Sequence, residues 1–229
     1  MIQKCLTNSN YTYEVIMFKA KNLFLFVLSL FLPITLVAKE VPREKTVIVG
    51  SRGIQAKEVW SPYLLGGNHQ RGVSFFYEPL YFADNLNGHE YPWLAESYSY
   101  NDDATRLTYT IRKGVFWSDG QEFDASDVAF SLKRLSQLGS DVRLGGNYKT
   151  FIKDVELLSA TKLVIHFHAP APRFHDEVIA QKGDRGYFVV PEHVWSSVDW
   201  PQYTNYNNGN GPVTTSPWRL NYSDENRRV

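Results

Sequence analysis

With 229 residues, 43% of them hydrophobic and 21% charged, the chain has the make-up of an ordinary globular protein, either one large domain or two small ones. Its 24 basic and 24 acidic residues cancel, and no basic patch concentrates positive charge, which excludes a nucleic-acid partner. Aromatic residues make up 15%, a supply of flat apolar faces with polar tips that suits cores and binding surfaces alike.

The N-terminal region reads as a targeting segment. Met17-Phe-Lys19-Ala-Lys21 is a basic start, and Leu23 to Ala38 is an apolar run of 16 residues interrupted by Pro33 and closed by a small residue. A membrane-spanning helix needs about 20 apolar residues, so residues 17–38 are read as a secretory signal peptide cleaved after Ala38. Residues 1–16 precede the basic start and have no role in this pattern, which points to a mis-assigned start and translation from Met17. Cys5, the single cysteine, lies ahead of the apolar run, so the mature chain carries no disulfide and no lipid-anchoring cysteine. Export to the periplasm as a soluble protein follows. Removing residues 1–38 leaves 21 basic and 23 acidic residues, a net charge of −2.

In the mature chain, Thr46-Val-Ile-Val-Gly50 is a short apolar run fit for a buried strand, and Ser51-Arg52-Gly53 leaves it as a polar loop. Ligands of α/β proteins gather at such strand exits, which makes Ser51 and Arg52 the first candidate binding residues. Trp60-Ser-Pro-Tyr63 is an aromatic turn, and Trp60 is a candidate cleft residue. The segment Val73 to Tyr77 starts as a helix stopped by Pro79, because the residue before proline avoids the α region. This puts Tyr77, another candidate, and Glu78 at a helix end, with Glu78 bonded to backbone. Asp84 to Tyr91 reads as a loop.

Leu107, Tyr109 and Ile111 alternate with Thr108, Thr110 and Arg112, the period of a half-buried strand. Lys113-Gly114 offers a turn, Val115-Phe-Trp117 a returning strand, and Ser118-Asp-Gly120 a second turn. Asp124 is placed to cap the following helix, with Asp127 reaching back as the other half of a capping box. Val128, Leu132 and Leu135 share one helical face, and Lys133 and Arg134 lie off it. Leu138-Gly-Ser-Asp141 and Leu144-Gly-Gly-Asn147 read as connectors without phosphate-loop spacing. Phe151 to Leu158 and Thr161 to His168 read as paired strands, with His166 and His168 on one face. These two histidines, with His175, are the nearest approach to a metal site, and without a thiolate or paired carboxylate beside them no metal and no cofactor is assigned. Arg173 to Gln181 reads as a short helix, and Tyr187-Phe-Val-Val190 as a strand followed by a helix start at Pro191.

Several of these fragments fall in a recognisable order: Leu94-Ala-Glu-Ser97, Leu107-Thr-Tyr-Thr-Ile-Arg-Lys-Gly114, Trp117-Ser-Asp-Gly120 and Asp124-Ala-Ser-Asp127-Val-Ala-Phe-Ser-Leu132. Together they resemble the signature region of the family 5 extracellular solute-binding proteins, the peptide, nickel and oligosaccharide receptors of ABC importers. Thr46 to Gly50, Tyr77-Glu-Pro-Leu80 and Gly209-Asn-Gly-Pro212 extend the resemblance over nearly all of residues 39–229.

The resemblance implies a mixed α/β (α+β) fold of the periplasmic binding protein type II kind, with the first lobe present and the second lobe missing. It also implies a monomer that captures an oligopeptide or other small solute by lobe closure, for ABC permease subunits in the inner membrane. Peptide is the favoured ligand and oligosaccharide the alternative. The family contacts its substrate just after the first strand, at Ser51 and Arg52 here, and its Tyr-Glu-Pro-Leu segment packs close to the cleft. A secreted glycosidase, the competing enzyme reading, needs two carboxylates across a cleft. Asp119, Asp124 and Asp127 all have turn or cap assignments instead, so no catalytic residue is assigned.

Overall fold

The computed structural model describes residues 60–65, 76–180, 186–205 and 211–219, all within one compact unit, Ser51–Val229. The expected strand at 46–50 lies outside them, as does the leader. Among the described residues two sheets are formed. Strands β1 (Tyr81–Asp84) and β2 (His89–Pro92) make a two-stranded antiparallel hairpin. Strands β3 (Ala95–Tyr100), β4 (Arg106–Ile111), β5 (Ile152–Ser159) and β6 (Lys162–Phe167) make an antiparallel sheet in the order β3-β4-β6-β5. This is the mixed helix and sheet architecture that the resemblance implies.

The β1–β2 hairpin replaces the loop expected between Asp84 and Tyr91. The Asp84 carboxylate accepts from the N–H groups of Leu86 (2.9 Å) and Asn87 (3.3 Å), and Gly88 takes the positive φ that closes the turn. Burial raises the Asp84 carboxyl less than these bonds lower it, so it titrates below the usual carboxylate value, led by the bond from the Asn87 side chain.

The alternation in Leu107, Tyr109 and Ile111 is that of a strand, and all three are buried. The returning strand at Val115–Trp117 does not form, because both edges of β4 are already taken, one by β3 and the other by β6. The β4 hairpin partner is instead the preceding strand, joined through Asn101–Thr105. There Asp103 Oδ1 accepts from the Thr105 N–H (3.1 Å) and hydroxyl (2.6 Å), and Asn101 Oδ1 accepts from the Arg106 N–H (2.8 Å). Residues 115–123 fold on themselves: Phe123 N–H donates to Val115 C=O (2.9 Å), Trp117 N–H to Gln121 C=O (2.8 Å), and Gly120 has φ 90°.

Helix α1 (Ala125–Leu138) has the expected capping box: Asp124 accepts from the Ser126 N–H (2.7 Å), and Asp127 from the Asp124 N–H (3.3 Å). Val128, Leu132 and Leu135 are fully buried, and Lys133 is exposed, so this face packs on the sheet at β5 and β6. The expected connectors are ordered. A 3₁₀ turn (Gly139–Asp141) leads to helix α2 (Gly145–Phe151), whose first glycine lies against the turn: a Cβ there would sit 2.0 Å from the Gly139 carbonyl oxygen. The helix expected from Arg173 is a π-helical turn, His175–Ile179, closed by the Ala180 N–H donating to His175 C=O (2.8 Å).

Tyr187–Val190 is buried and leads to helix α3 (Glu192–Trp195), but it pairs with no strand among the described residues. Side-chain hydroxyls take the place of a neighbour. Ser131 Oγ accepts from the Val190 N–H (3.1 Å) and donates to its C=O (3.2 Å). Tyr63 Oη accepts from the Phe188 N–H (3.0 Å) and donates to the Phe188 C=O. The backbone of alternate residues is thereby satisfied without a ladder, as buried polar groups require.

Two stability predictions follow from this packing. Gly145→Ala should cost about 1–3 kcal/mol through overpacking against a rigid carbonyl, whereas Gly146→Ala, with open space around its Cβ position, should be neutral or slightly stabilising; urea denaturation of both variants checks this. The second concerns Asp127, whose carboxyl is pushed by burial above the usual carboxylate value. A raised carboxyl pKa favours the folded state at low pH, so the stability of the wild type relative to Asp127→Asn should fall as pH climbs from near 4 through the folded pKa and then level off. Denaturation midpoints across that range measure it.

Candidate functional site

Of the residues singled out for binding, Ser51 and Arg52 lie outside the described residues. Trp60 and Tyr77 lie within them, and both are buried, at 1% and 2% exposure. The structure brings these two together with the late segment 187–205. The Trp60 N–H donates to Thr204 C=O (2.7 Å), and the Trp60 ring meets Phe76 edge-on at 5.0 Å. Tyr77 packs edge-on against Phe188 (6.2 Å), and its hydroxyl accepts from the Asn205 side-chain amide. Tyr63 stacks on Trp200 at 5.7 Å, and Trp200 meets Trp195 edge-on at 4.9 Å. Burial pushes the Tyr63 and Tyr77 phenols well up, so both stay protonated and keep their hydroxyl hydrogen available to donate. Sequence reasoning missed Asn205. Its left-handed backbone (φ 55°) is a conformation asparagine tolerates, and its place in an Asn-rich loop gave no sign of a buried partner.

A second node surrounds the turn at Trp117–Gly120. Asp127 accepts from the Trp117 indole N–H (3.0 Å) and from the Glu192 backbone N–H (2.8 Å), in addition to its bond from Asp124. It thus caps α3 as well as α1. Asp119, on the same turn, pairs with His193 Nε2 at 2.7 Å. Burial pulls the Asp119 carboxyl upward, but the bond from His193, the Gln121 N–H and the His193 charge outweigh it and hold it below the usual value. Ser118 and Thr214 exchange two bonds, the Ser118 N–H donating to Thr214 C=O (2.8 Å) and the Thr214 N–H to Ser118 Oγ (3.3 Å). This places the segment after Gly211-Pro212 against the turn. Glu78 bonds the Trp93 indole N–H (2.8 Å) where a backbone partner was expected. His166 pairs with Glu156 at 3.0 Å.

A surface depression of ≈430 Å³ lies beside α1 and α3, lined by Phe130, Lys133, Arg134, Leu157 and Glu192. It includes neither Trp60 nor Tyr77. Its mixed charges and apolar floor offer no convergent set of polar groups around one point.

These elements define the fold of a periplasmic solute-binding protein. It superposes on the crystal structure of NikZ from Campylobacter jejuni in complex with Ni(L-His), with a TM-score of 0.61 and 22% identity over 75% of this chain and 32% of that one. The chain belongs to a family described as bacterial extracellular solute-binding proteins, family 5 Middle, whose model matches residues 90–229. It is 31% identical over 175 residues to the nickel-binding periplasmic protein of Escherichia coli K12, covering 73% of this chain and 30% of that relative. It is also 34% identical over 92 residues to the periplasmic oligopeptide-binding protein OppA of the same strain, covering 40% of this chain and 16% of OppA. The chain therefore spans less than a third of the length of either relative.

The Tyr77–Asn205 bond predicts a measurable coupling. Tyr77→Phe leaves the buried Asn205 amide without its acceptor and should cost about 1–3 kcal/mol. Asn205→Ala should cost a similar amount, and the double variant should cost less than the sum of the two; a double-mutant cycle by urea denaturation measures the difference.

Proposed function

We propose that this chain is part of the periplasmic capture component of an ABC importer, taking up oligopeptides by closure of two lobes around the ligand. The family match over residues 90–229 carries this reading. Recognition would rest on hydrogen bonds to the extended main chain of the peptide, with side chains in hydrated pockets that tolerate many sequences. The carboxylates support capture without chemical change: Asp124 and Asp127 are engaged in capping and Asp119 in a pair with His193. In this reading Ser51 and Arg52 touch the ligand, and Trp60 and Tyr77, the other two candidates, are buried against Thr204 and Asn205. The protein would work as a monomer with permease subunits of the inner membrane, after export directed by residues 17–38. The nickel-binding relative, matched over more of the chain than the oligopeptide-binding one, favours a nickel complex as the second reading.

Thermal denaturation and native mass spectrometry of the full 229-residue chain, with di- to pentapeptides and separately with Ni²⁺ and L-histidine, test both readings. A peptide recovered intact that raises Tm with concentration supports peptide capture, the stabilisation reaching about 2.7 kcal/mol at 100 times Kd. A response to the nickel complex alone selects the second reading, and a hydrolysed peptide rejects capture altogether. Ser51→Ala with Arg52→Ala should weaken binding at least tenfold while leaving the unliganded Tm unchanged. Trp60→Ala should lower that Tm.

A further inference from the structure

His175 is fixed in its place from several sides. Its imidazole is 1% exposed, stacked on Tyr98 with ring centroids 3.7 Å apart and 19° between planes, and met edge-on by Tyr81 at 4.8 Å. Nδ1 is 2.6 Å from the Tyr109 hydroxyl, and the His175 backbone N–H donates to the Tyr100 hydroxyl at 2.9 Å. Three tyrosines from β1, β3 and β4 thus fix the ring plane and its rotation, and Tyr100 holds the backbone that carries it. What they fix it towards is a pair of carboxylates. Nε2 lies 3.2 Å from Glu90 Oε2, and the ligand atoms of Glu90, His175 and Asp176 all lie within 4.8 Å of one another. Glu90 comes from β2, and Asp176 from the π-helical turn.

We infer that Glu90, His175 and Asp176 form a binding site for a first-row transition-metal dication that ties the β1–β2 hairpin to the π-helical turn. The donor set fits the assignment: one imidazole nitrogen and two carboxylates suit Zn²⁺ and its neighbours. The spacing fits as well. Two donors about 2.1 Å from one ion at the tetrahedral angle are about 3.4 Å apart, close to the 3.2 Å between Nε2 and Oε2. Asp176 is exposed, with a carboxylate oxygen within 4.8 Å of the other two ligand atoms. The Tyr109 hydroxyl on Nδ1 acts as an outer partner that sets the ring's direction, as metal-bound histidines require. His166 with Glu156 and His193 with Asp119 offer two donors each, on exposed surface, and carry no comparable set.

Capture of the ion uses the Nε2 lone pair of the neutral imidazole with its proton on Nδ1; an imidazolium first gives up its Nε2 proton to water, so affinity rises with pH. The test is titration of the full chain with ZnCl₂ alone, by calorimetry and by competition with a chromophoric chelator. One equivalent of Zn²⁺ should bind, more tightly at pH 8 than at pH 6, and at least tenfold more weakly in Asp176→Asn and in Glu90→Gln. Both side chains reach solvent, so both variants should fold, which their Tm in the presence of a chelator verifies. Tyr109→Phe, an outer-partner change, should weaken binding by a smaller factor. Absence of saturable Zn²⁺ binding, or affinity unchanged in either carboxylate variant, would overturn the assignment.

Discussion

The Asp127 carboxylate is the point on which the arrangement of the described residues turns. One oxygen accepts from the Trp117 indole and the Asp124 backbone, the other from the Glu192 backbone. A turn, the start of α1 and the start of α3 are thereby fixed to a single side chain that is 4% exposed. Withdrawing a carboxylate from water costs several kcal/mol, and each hydrogen bond to it returns about 1.5–3 kcal/mol. The upward shift of its pKa shows that desolvation outweighs the bonds in setting its titration. Asp127 joins three segments, the last of them distant in sequence, at one side chain. His193 reaches Asp119, and Thr214 reaches Ser118, because the turn and α3 are held in register by it.

The same economy governs the buried segment Tyr187–Val190. A strand-like apolar run was expected to find a sheet, and it finds hydroxyls instead. Tyr63 and Ser131 each bond both backbone groups of one residue, and Tyr187 donates its own hydroxyl to Val128 C=O at 2.8 Å. These contacts sew residues 60–65 and α1 to a segment more than a hundred and about sixty positions away, respectively. A lobe assembled from distant parts of the chain needs such bonds, because hydroxyls satisfy a buried backbone without demanding a continuous ladder.

For function, the consequence is a division of labour. Acidic side chains are occupied in capping helices, shaping turns and pairing with histidines, and the large aromatics nearest the expected cleft are committed to the core. In the proposed reading, specificity for a solute falls to loops at the strand ends, in a family with relatives named for ligands as different as nickel and oligopeptides. His175 stands apart from this scheme, since its surroundings orient a donor atom as well as fill space.

Local chemistry made some of this legible without coordinates. The capping box at Asp124 and Asp127, the buried face of α1, the alternation of Leu107 to Ile111 and the β5–β6 pairing depend on neighbours within a few residues, and periodicity reports them. The motifs around Trp117 and Asp124 likewise carried the family. Tertiary structure alone decided that β4 pairs with β3 and β6 and leaves Val115–Trp117 to turn away, because an edge can be filled only once and the sequence does not state by which strand. It alone decided that the glycines after Leu144 begin a helix packed against a carbonyl, that Tyr77 finds Asn205, and that His175 faces Glu90 in preference to His168. Each of these joins residues whose partners lie far along the chain, where spacing carries no information and only the competition for buried space and hydrogen bonds selects the pair.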